Sequence, residues 1–246
     1  MGRHPAAVER PPLQDAPAAA AALARLEGAG VPVLERRFGT GEQVYLRGDA
    51  DRGLCFLLEG TLRVYKAHGG GSAEATVGLL AGGGLFGEPS LRAGGRHRDS
   101  AEALSACRVA RVPKGPLEAH LLRDPGCSFP LLLALAVWAE EREAAATRLV
   151  PWEVGGRLAR LLLELAGRFG RETGRGTEVG LRLTHHDLAR MVACTREAVT
   201  KEMVRFRRAG LIEARRGRCR VVVLDEPRLV DVARAGSAGS AVYSKA

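Results

Sequence analysis

A set of charged and hydroxyl side chains between residues 196 and 208 has the chemistry that recognises DNA. Helical periodicity places them on one face, which the sequence predicts to be exposed: Arg196, Glu197, Thr200, Lys201, Arg205 and Arg208. Arginine presents two donors to O6 and N7 of guanine, and glutamate accepts from N4 of cytosine. Lysine and arginine also bind phosphates. An ordinary amphipathic helix has a polar face too, so this face alone does not separate DNA binding from simple solvation.

The residues around this face predict two short helices joined by a tight turn. Thr184 is a suitable N-cap for the first helix and Thr195 for the second, in whose first turn the helix dipole favours Glu197. The second helix carries an apolar stripe of Val199, Met203, Val204 and Phe206. It ends at 209–210, and a hairpin with its turn at Gly217 follows. The whole pattern is that of a winged helix-turn-helix, which favours DNA over a solvated face.

The charge of the chain is concentrated in its C-terminal part. Of the net +9, residues 151–246 contribute +8, from 19 basic and 11 acidic side chains, whereas residues 1–150 contribute +1, from 18 and 17. A local basic field supplies the salt-sensitive, sequence-independent part of DNA affinity. The amphipathic pattern of a helix lying on a membrane surface is not seen.

The cysteines and the hydropathy indicate a reduced, cytoplasmic setting without a membrane. Five cysteines, at 55, 107, 127, 194 and 219, are odd in number and widely spaced, so neither a disulfide framework nor a paired-cysteine metal site is predicted. No apolar run approaches the roughly 18 residues of a membrane span. The N-terminus lacks the bounded apolar core of a signal peptide.

Pattern changes along the chain predict five segments and an α+β fold. Residues 1–30 are expected to be a disordered arm and a short helix, and 31–126, with short apolar runs separated by glycine, an all-β sandwich or barrel, called the β-roll below. A long helix is expected at 127–150, the winged helix-turn-helix at 151–234 and a flexible tail at 235–246. Within the fourth segment, 170–180 is predicted to be a polar loop.

The long helix carries a seam with the spacing of a coiled coil. Its members step by four and three residues: Leu131, Leu135, Trp138, Arg142, Ala145 and Leu149. The seam suits packing against the same helix of a second copy, and we expect a homodimer. Packing against the chain's own β-roll is the alternative.

The order β-roll, long helix, winged helix-turn-helix resembles the cyclic-AMP receptor protein and fumarate-nitrate regulator superfamily of bacterial transcription factors. The resemblance covers about residues 33–232 and is carried by GDADRGLCFLLEGTLRVYK at 48–66, GLFGEPSL at 84–91 and LTHHDLARMVACTREAVTKEMVRFRRAGLI at 183–212. It implies a cyclic-nucleotide-binding-like jelly roll, and a homodimer on a palindromic site whose half-sites lie about 34 Å apart. Contact with RNA polymerase is implied for an activator.

The resemblance assigns roles to residues of the second helix and its surroundings. The family's base-reading Arg-Glu pair falls on Arg196 and Glu197, and a second reading arginine is replaced by Lys201, which is not equivalent where bidentate geometry matters. Because the first pair is retained, half-sites resembling TGTGA are expected. Thr184 matches a family phosphate contact. Further predicted DNA contacts are Thr195, Thr200, Arg205, His186 and Arg218.

The effector pocket departs from the family pattern. Gly87 and Glu88 match the Gly-Glu that begins the phosphate-binding cassette, and Arg98 matches its arginine, but Asp99 replaces a serine or threonine. A carboxylate there would repel a bound phosphate and is expected to pair with Arg98 instead. On the long helix, Arg142 and Glu143 replace the hydroxyl residues that reach adenine. A cyclic nucleotide is therefore possible but disfavoured, and no cofactor is assigned.

Arg142 suggests that the dimer forms without an effector. A lone buried charge in the seam would be costly, and Glu141 or Glu143 of the partner helix could satisfy it. We therefore expect a ligand-independent DNA-binding form.

The sequence gives less support to metal binding, cysteine chemistry or catalysis. Adjacent helical residues point apart, so His185, His186 and Asp187 are not expected to share a metal, and no metal site is assigned. Cys55 and Cys107 are interpreted as buried packing. No nucleophile has a base at recognisable spacing, so no enzyme is predicted. A small-molecule-binding module, or an enzyme using Glu88, His97 and Arg98, remain as alternatives.

Overall fold

The computed structural model describes residues 16–50, 52–68, 73–87, 95–147, 153–214 and 220–235. They belong to two compact units that divide at residue 147. The predicted arm and tail, Glu88, Leu149 and Arg218 lie outside the described residues. Among the described residues no single helix is long and apolar enough to cross a bilayer; the pair Lys114–Arg123 and Pro125–Glu143 meets these criteria only jointly, across a 115° bend.

The first unit is a β-roll flanked by helices. Helix α1 (Ala16–Gly28) precedes eight strands: β1 (Leu34–Phe38), β2 (Gln43–Tyr45), β3 (Gly53–Glu59), β4 (Thr61–His68), β5 (Ala73–Ala81), β6 (Gly84–Phe86), β7 (Ser100–Ala103) and β8 (Cys107–Pro113). They form two antiparallel sheets, ordered β1-β8-β3-β6 and β2-β7-β4-β5. Helix α2 (Lys114–Arg123), a 3₁₀ turn (Pro125–Cys127) and helix α3 (Ser128–Thr147) follow. The predicted β-roll and long helix are confirmed.

Strand β3 is buried on both of its faces, which explains its continuous apolar sequence. Cys55 and Leu57 lie in the core between the two sheets, with Cys107 of β8. Leu54 and Phe56 face the other way and lie beneath the helices, in a cluster that includes Leu26 and Leu131. A strand covered on both sides has no solvent face, so it lacks the alternation of a half-buried strand. The prediction that Cys55 and Cys107 are packing residues is confirmed, since they are 2% and 4% exposed.

Helix α3 packs on its own β-roll along much of the predicted seam. Leu131, Trp138 and Ala145 are at most 5% exposed within the single chain, and Leu135 packs partly against the helical cluster. Trp138 comes so close to β5 that a Cβ on Gly78 would lie 2.4 Å from its ring. For Leu131, Trp138 and Ala145 the interface assignment is therefore corrected: the alternative, packing within the chain, holds because each is already covered in the single chain.

The second unit is a winged helix-turn-helix. It comprises helix α4 (Val154–Phe169), strands β9 (Gly170–Thr173) and β10 (Gly176–Val179), helices α5 (His185–Met191) and α6 (Arg196–Arg208), strands β11 (Ile212–Ala214) and β12 (Val221–Val223), and helix α7 (Glu226–Ala235). The predicted polar loop at 170–180 is wrong. Its residues form the β9–β10 hairpin, which pairs with β12; its first strand is polar because it is an exposed edge.

Candidate nucleic-acid interface

Two capped helix starts and a tight turn set the direction of α6. Thr184 begins α5 with a capping box: its Oγ1 accepts from the Asp187 amide at 3.1 Å, while Asp187 Oδ2 accepts from the Thr184 amide at 2.8 Å. Thr195 Oγ1 accepts from the Ala198 amide at 3.2 Å to begin α6. In the turn between them Ala193 has φ of 49°, a left-handed conformation that side chains other than glycine rarely adopt. Both predicted caps are confirmed, and each satisfies an amide that the helix itself leaves unpaired.

A hydrogen-bonded chain joins the two helices. Thr200 Oγ1 donates to the Arg196 carbonyl at 2.8 Å, which leaves its oxygen to accept from Nδ1 of His185 at 2.9 Å. Partial burial, and then the positive charge of Arg196, lower the pKa of His185 from 6.5, which favours the neutral ring. The hydroxyl hydrogen of Thr200 is therefore already donated within the protein, and the residue helps to position α6. The sequence predicted it as a DNA contact.

Three charged residues on the outward face of α6 have no side-chain partner among the described residues. Arg196, Glu197 and Lys201 are exposed, and none makes a hydrogen bond or ion pair through its side chain with another described residue. They border a surface depression of about 1000 Å³ whose lining comprises all six predicted residues of the face, with Val204 and Ala209. The Thr195 cap and the buried side chains of Val199, Met203 and Phe206 hold α6 against the rest of the unit. The arrangement presents Arg196, Glu197 and Lys201 outward, and no charge among the described residues competes for them.

Val204 is placed differently from the sequence prediction. The sequence groups it in the apolar stripe with Val199, Met203 and Phe206, which are buried, but Val204 is half-buried and lines the outward depression. The spacing contains the signal, because Val204 follows Thr200 by four residues and precedes Arg208 by four, on the same helical face. An apolar side chain there has the chemistry to contact a thymine methyl group.

The remaining predicted DNA contacts differ in how available they are. The Thr184 hydroxyl donates to Asp187 Oδ2 at 2.7 Å, so binding a phosphate through it requires that bond to break. Thr195 accepts a bond in its cap and keeps its hydroxyl hydrogen for a phosphate oxygen. His186 is exposed, and Arg205 lies 3.8 Å from Glu202. At the base of the wing, Arg220 is held by Glu178 at 3.0 Å.

The predicted effector pocket is organised around an internal ion pair. Asp99, 3% exposed, accepts from the Tyr45 hydroxyl at 3.2 Å and from Nη1 of Arg142 at 3.1 Å. The Arg142 guanidinium also lies over the Trp138 ring, 5.4 Å from its centre. On the other side, the ring of His97 stacks on Tyr45 at 3.6 Å. Charge and aromatic contacts together tie α3 to the β-roll at this point.

Two predictions about this pocket are corrected by the ion pair. Asp99 does not pair with Arg98, which is exposed; it pairs with Arg142 because α3 runs past the roll at that level. Arg142 accordingly has a carboxylate partner in its own chain and does not depend on Glu141 or Glu143 of a second copy. Gly87 is buried with φ of 80°, as a tight turn requires. The alternative enzyme site of Glu88, His97 and Arg98 is not assembled among the described residues. His97 is stacked in the interior, Arg98 points to solvent, and Glu88 lies outside the described residues.

Comparison with known proteins agrees with this architecture. Residues 35–124 match the cyclic nucleotide-binding domain and residues 156–232 the Crp-like helix-turn-helix domain. The chain is 28% identical to a CRP-like cAMP-activated global transcriptional regulator of Mycobacterium tuberculosis, over 80% of this chain and 87% of the relative. It is also 28% identical to a global nitrogen regulator of Synechocystis, over 81% and 88% of the two chains.

A solved structure extends the likeness to three dimensions. A CRP-family transcriptional regulator from Thermus thermophilus superimposes with a TM-score of 0.69 and 30% identity, covering 81% of this chain and 96% of that one. The family's members are transcription regulators rather than enzymes. The β-roll, the long helix and the capped helix-turn-helix with its outward Arg-Glu pair are therefore those of a transcriptional regulator with a helix-turn-helix DNA-binding domain, and the chain belongs to the CRP/FNR family.

Proposed function

We propose that the chain binds a two-fold-symmetric DNA site as a homodimer, reads it with Arg196 and Glu197, and needs no cyclic AMP to do so. The observation that carries the proposal is the outward face of α6, where these two side chains are exposed and unpaired among the described residues. A guanidinium and a carboxylate side by side suit the edges of G·C pairs in the major groove. The Arg-rich C-terminal part supplies the general attraction to phosphate.

A second copy of the chain is the partner that the exposed face of α3 suits. Phe129, Leu132 and Leu133 are 73%, 61% and 44% exposed on the side of the helix away from the β-roll. Their spacing gives an apolar stripe, and exposed apolar stripes of this kind mark association surfaces. The dimer contact is thus proposed on this side of α3, rotated from the seam that contains Leu131 and Trp138.

The dimer surface has a direct test. We expect Leu132→Glu to convert the protein to monomers in sedimentation velocity and to weaken operator binding, because a palindrome requires both copies. Leu122→Glu is the matched control, since Leu122 is 85% exposed on α2 and lies off the stripe. A dimer that survives Leu132→Glu would contradict the proposed surface.

Independence from cyclic AMP rests on the Asp99–Arg142 pair. A cyclic phosphate in the family's cassette would meet the Asp99 carboxylate, and the nearby Arg142 guanidinium is already engaged. The pair also holds α3 to the roll without a ligand. Separation of two partly desolvated charges would oppose nucleotide entry.

Selection of bound DNA from a random pool, with and without cyclic AMP, tests the function as a whole. We expect the same palindrome in both selections and equal affinities by fluorescence anisotropy. A strict requirement for the nucleotide would refute ligand independence while leaving DNA reading intact. A pool without enrichment in either condition would refute sequence-specific binding.

The proposed outcome of binding is activation, through contact with RNA polymerase in the cytoplasm. All four residues of β9, in the β9–β10 hairpin, are exposed and offer a surface for such a contact. In a reconstituted transcription assay on the selected site, we expect added protein to raise transcript yield. Repression at every position of the site relative to the promoter would count against activation.

A second candidate function, sensing of a small anion by the β-roll, is favoured by a cavity beside the Tyr45–His97 stack. A cavity of about 320 Å³ is lined on one side of the Tyr45–His97 stack by Arg36, Arg52 and Arg111, with Asp49 as its acidic residue. None of the three arginines is paired with a carboxylate among the described residues. Converging guanidiniums bind carboxylate or phosphate groups well.

Inorganic phosphate and citrate serve as probes of this pocket. We expect either anion to raise the melting temperature beyond the effect of chloride at equal ionic strength. Arg36→Gln should remove the increment, whereas Arg37→Gln, an exposed neighbour that does not line the cavity, should keep it. An equal increment in both variants would indicate a nonspecific salt effect and exclude this sensor.

A further inference from the structure

Three potential metal ligands converge where α2 gives way to α3. His120 Nε2 lies 3.2 Å from Cys127 Sγ, and Cys127 Sγ lies 3.5 Å from Asp124 Oδ2. The three ligand atoms all lie within 4.8 Å of one another. His120 and Cys127 are buried, at 7% and 4% exposure, while Asp124 is exposed and opens the group to solvent.

These separations match those around a tetrahedral zinc ion. Zinc binds thiolate sulfur at about 2.3 Å, imidazole nitrogen at about 2.0–2.1 Å and carboxylate oxygen at about 2.0–2.2 Å, so neighbouring ligand atoms lie about 3.3–3.6 Å apart. The Cys127–Asp124 separation of 3.5 Å lies within this range, and the His120–Cys127 separation of 3.2 Å lies just below it, so small side-chain movements would admit the ion. We propose that His120, Asp124 and Cys127 form a zinc-binding site with a fourth position open to water.

The local fold holds the ligands in place independently of an ion. Asp124 accepts from the Gly126 amide at 3.1 Å through Oδ1 and so caps the 3₁₀ turn, while its Oδ2 is the oxygen directed at Cys127. The Asp124 amide donates to the His120 carbonyl at 2.8 Å, which fixes one turn of chain between these ligands. One carboxylate oxygen is thus structural and the other is available, as a preorganised site requires.

The charges near Cys127 also bear on a cation. The Asp124 carboxylate beside Cys127 Sγ supplies negative charge that favours a bound cation. Arg25 of α1 acts in the opposite direction; its Nη1 donates to the Gly126 carbonyl at 3.3 Å. Arg25 is exposed, so solvent screens its repulsion of a bound ion.

A bound ion would brace the junction between the β-roll and the long helix. Its ligands come from the last turn of α2, the connecting residue and the 3₁₀ turn that leads into α3. Mixed nitrogen, sulfur and oxygen donors suit Zn²⁺ better than Mg²⁺ or Ca²⁺, which prefer oxygen alone.

Titration of the full-length, EDTA-treated protein with Co²⁺ tests the site, because tetrahedral cobalt reports its ligands in absorption. We expect one Co²⁺ per chain, intense visible bands, a near-ultraviolet thiolate charge-transfer band, and displacement by Zn²⁺. Cys127→Ser should abolish the thiolate band. Asp124→Asn should lower zinc affinity by more than about 10-fold, the least that loss of a supporting partner usually costs.

The controls separate ligand loss from misfolding. Asp124→Asn keeps the turn cap, since its amide oxygen can still accept from Gly126, and circular dichroism checks both variants. Cys194→Ser, in the second unit, should leave the spectrum unchanged. A wild-type protein without the thiolate band, a Cys127→Ser protein that retains it, or unchanged affinity in Asp124→Asn would each overturn the site.

Discussion

The outward face of α6 and the Asp99–Arg142 pair use the same two chemical groups in opposite ways. On α6, Arg196 and Glu197 are exposed and unpaired among the described residues. In the β-roll unit, Asp99 is 3% exposed and is held by Arg142 and the Tyr45 hydroxyl. A guanidinium and a carboxylate can therefore serve recognition of an external partner or closure of an internal gap, depending on where the fold places them.

The difference between the exposed charges of α6 and the buried Asp99–Arg142 pair indicates which of them is available to an external partner. Exposed charges lose little hydration until a complementary surface arrives, and they then give specificity. A buried pair has already given up its water, and any ligand must offer more than the pair it separates. By this criterion the outward face of α6 remains open to a partner, while Asp99 and Arg142 are already paired within the β-roll unit.

The largest expected effect is on operator affinity, when a charged residue on the outward face of α6 is removed. We expect Arg196→Ala to lower affinity for the selected operator by about 100-fold or more, because each bidentate base contact contributes about 1–3 kcal/mol and a dimer loses two. Affinity for a scrambled duplex should fall much less. Fluorescence anisotropy at fixed salt measures both. Arg207→Ala is the matched control, since Arg207 is exposed on α6 but does not line the depression; an unchanged operator-to-scramble ratio in Arg196→Ala would contradict base reading.

The next largest effect is on the free energy of unfolding, when the buried Asp99–Arg142 pair is broken. We expect Asp99→Asn to lower the free energy of unfolding by about 2 kcal/mol, since it leaves the Arg142 charge without its carboxylate. Urea denaturation followed by circular dichroism measures the change. Glu35→Gln, which removes an exposed partner of Arg108 at 2.9 Å, should cost less than about 1 kcal/mol. Equal losses of unfolding free energy in Asp99→Asn and Glu35→Gln would show that burial does not make the Asp99–Arg142 pair stronger than the Glu35–Arg108 pair.

A smaller effect concerns the hydrogen bond that holds α6 from inside. The pKa of His185 is lowered below 6.5, so the unfolded chain takes up the proton first as the pH falls. Stability from the neutral ring should therefore be complete above about pH 6.5 and decline below it. Thermal unfolding from pH 7.5 to 5.5 should show a shallower decline in His185→Gln. His186→Gln, altered at the exposed neighbour, should keep the wild-type decline; an unchanged decline in His185→Gln would reject this assignment.

The smallest effect concerns the turn between the helices. Ala193 is left-handed at φ of 49°, a conformation that costs alanine about 1–2 kcal/mol, while glycine in the unfolded chain gives back about 0.5–1 kcal/mol. We expect Ala193→Gly to raise the free energy of unfolding by about 0.5 kcal/mol without altering operator affinity. Urea denaturation and anisotropy measure the two quantities. A loss of stability would show that the turn is not strained.

Local sequence patterns predicted the parts whose neighbours in space are also neighbours in the chain. The caps at Thr184 and Thr195 and the outward face of α6 are confirmed because capping acts within four residues and a helical face has a fixed period. The β9–β10 hairpin escaped detection because its exposed edge strand has no apolar alternation. The roles of Arg218, Glu88 and Leu149 stay predictions.

Contacts between distant segments were predicted least well. The spacing on α3 predicted a packed seam, and Leu131, Trp138 and Ala145 are buried, but spacing does not say whether a second helix or the β-roll covers them. Trp138 meets Gly78, sixty residues earlier in the chain, and Arg142 meets Asp99 rather than a partner's glutamate. The grouping of His120, Asp124 and Cys127 was likewise hidden, because its spacing matches no familiar metal motif and depends on a bend between two helices.

The sequence by itself determined the order of elements, the capped helix-turn-helix and the types of side chain on its outer face, because these follow from short-range periodicity and hydrogen bonding. Only the tertiary structure decided which charges are satisfied within the chain. That choice depends on which segments fold against one another, and Coulomb energy depends on distance and burial rather than on separation along the chain. It is why an arginine on α6 faces outward while an arginine on α3 pairs with a carboxylate of its own chain.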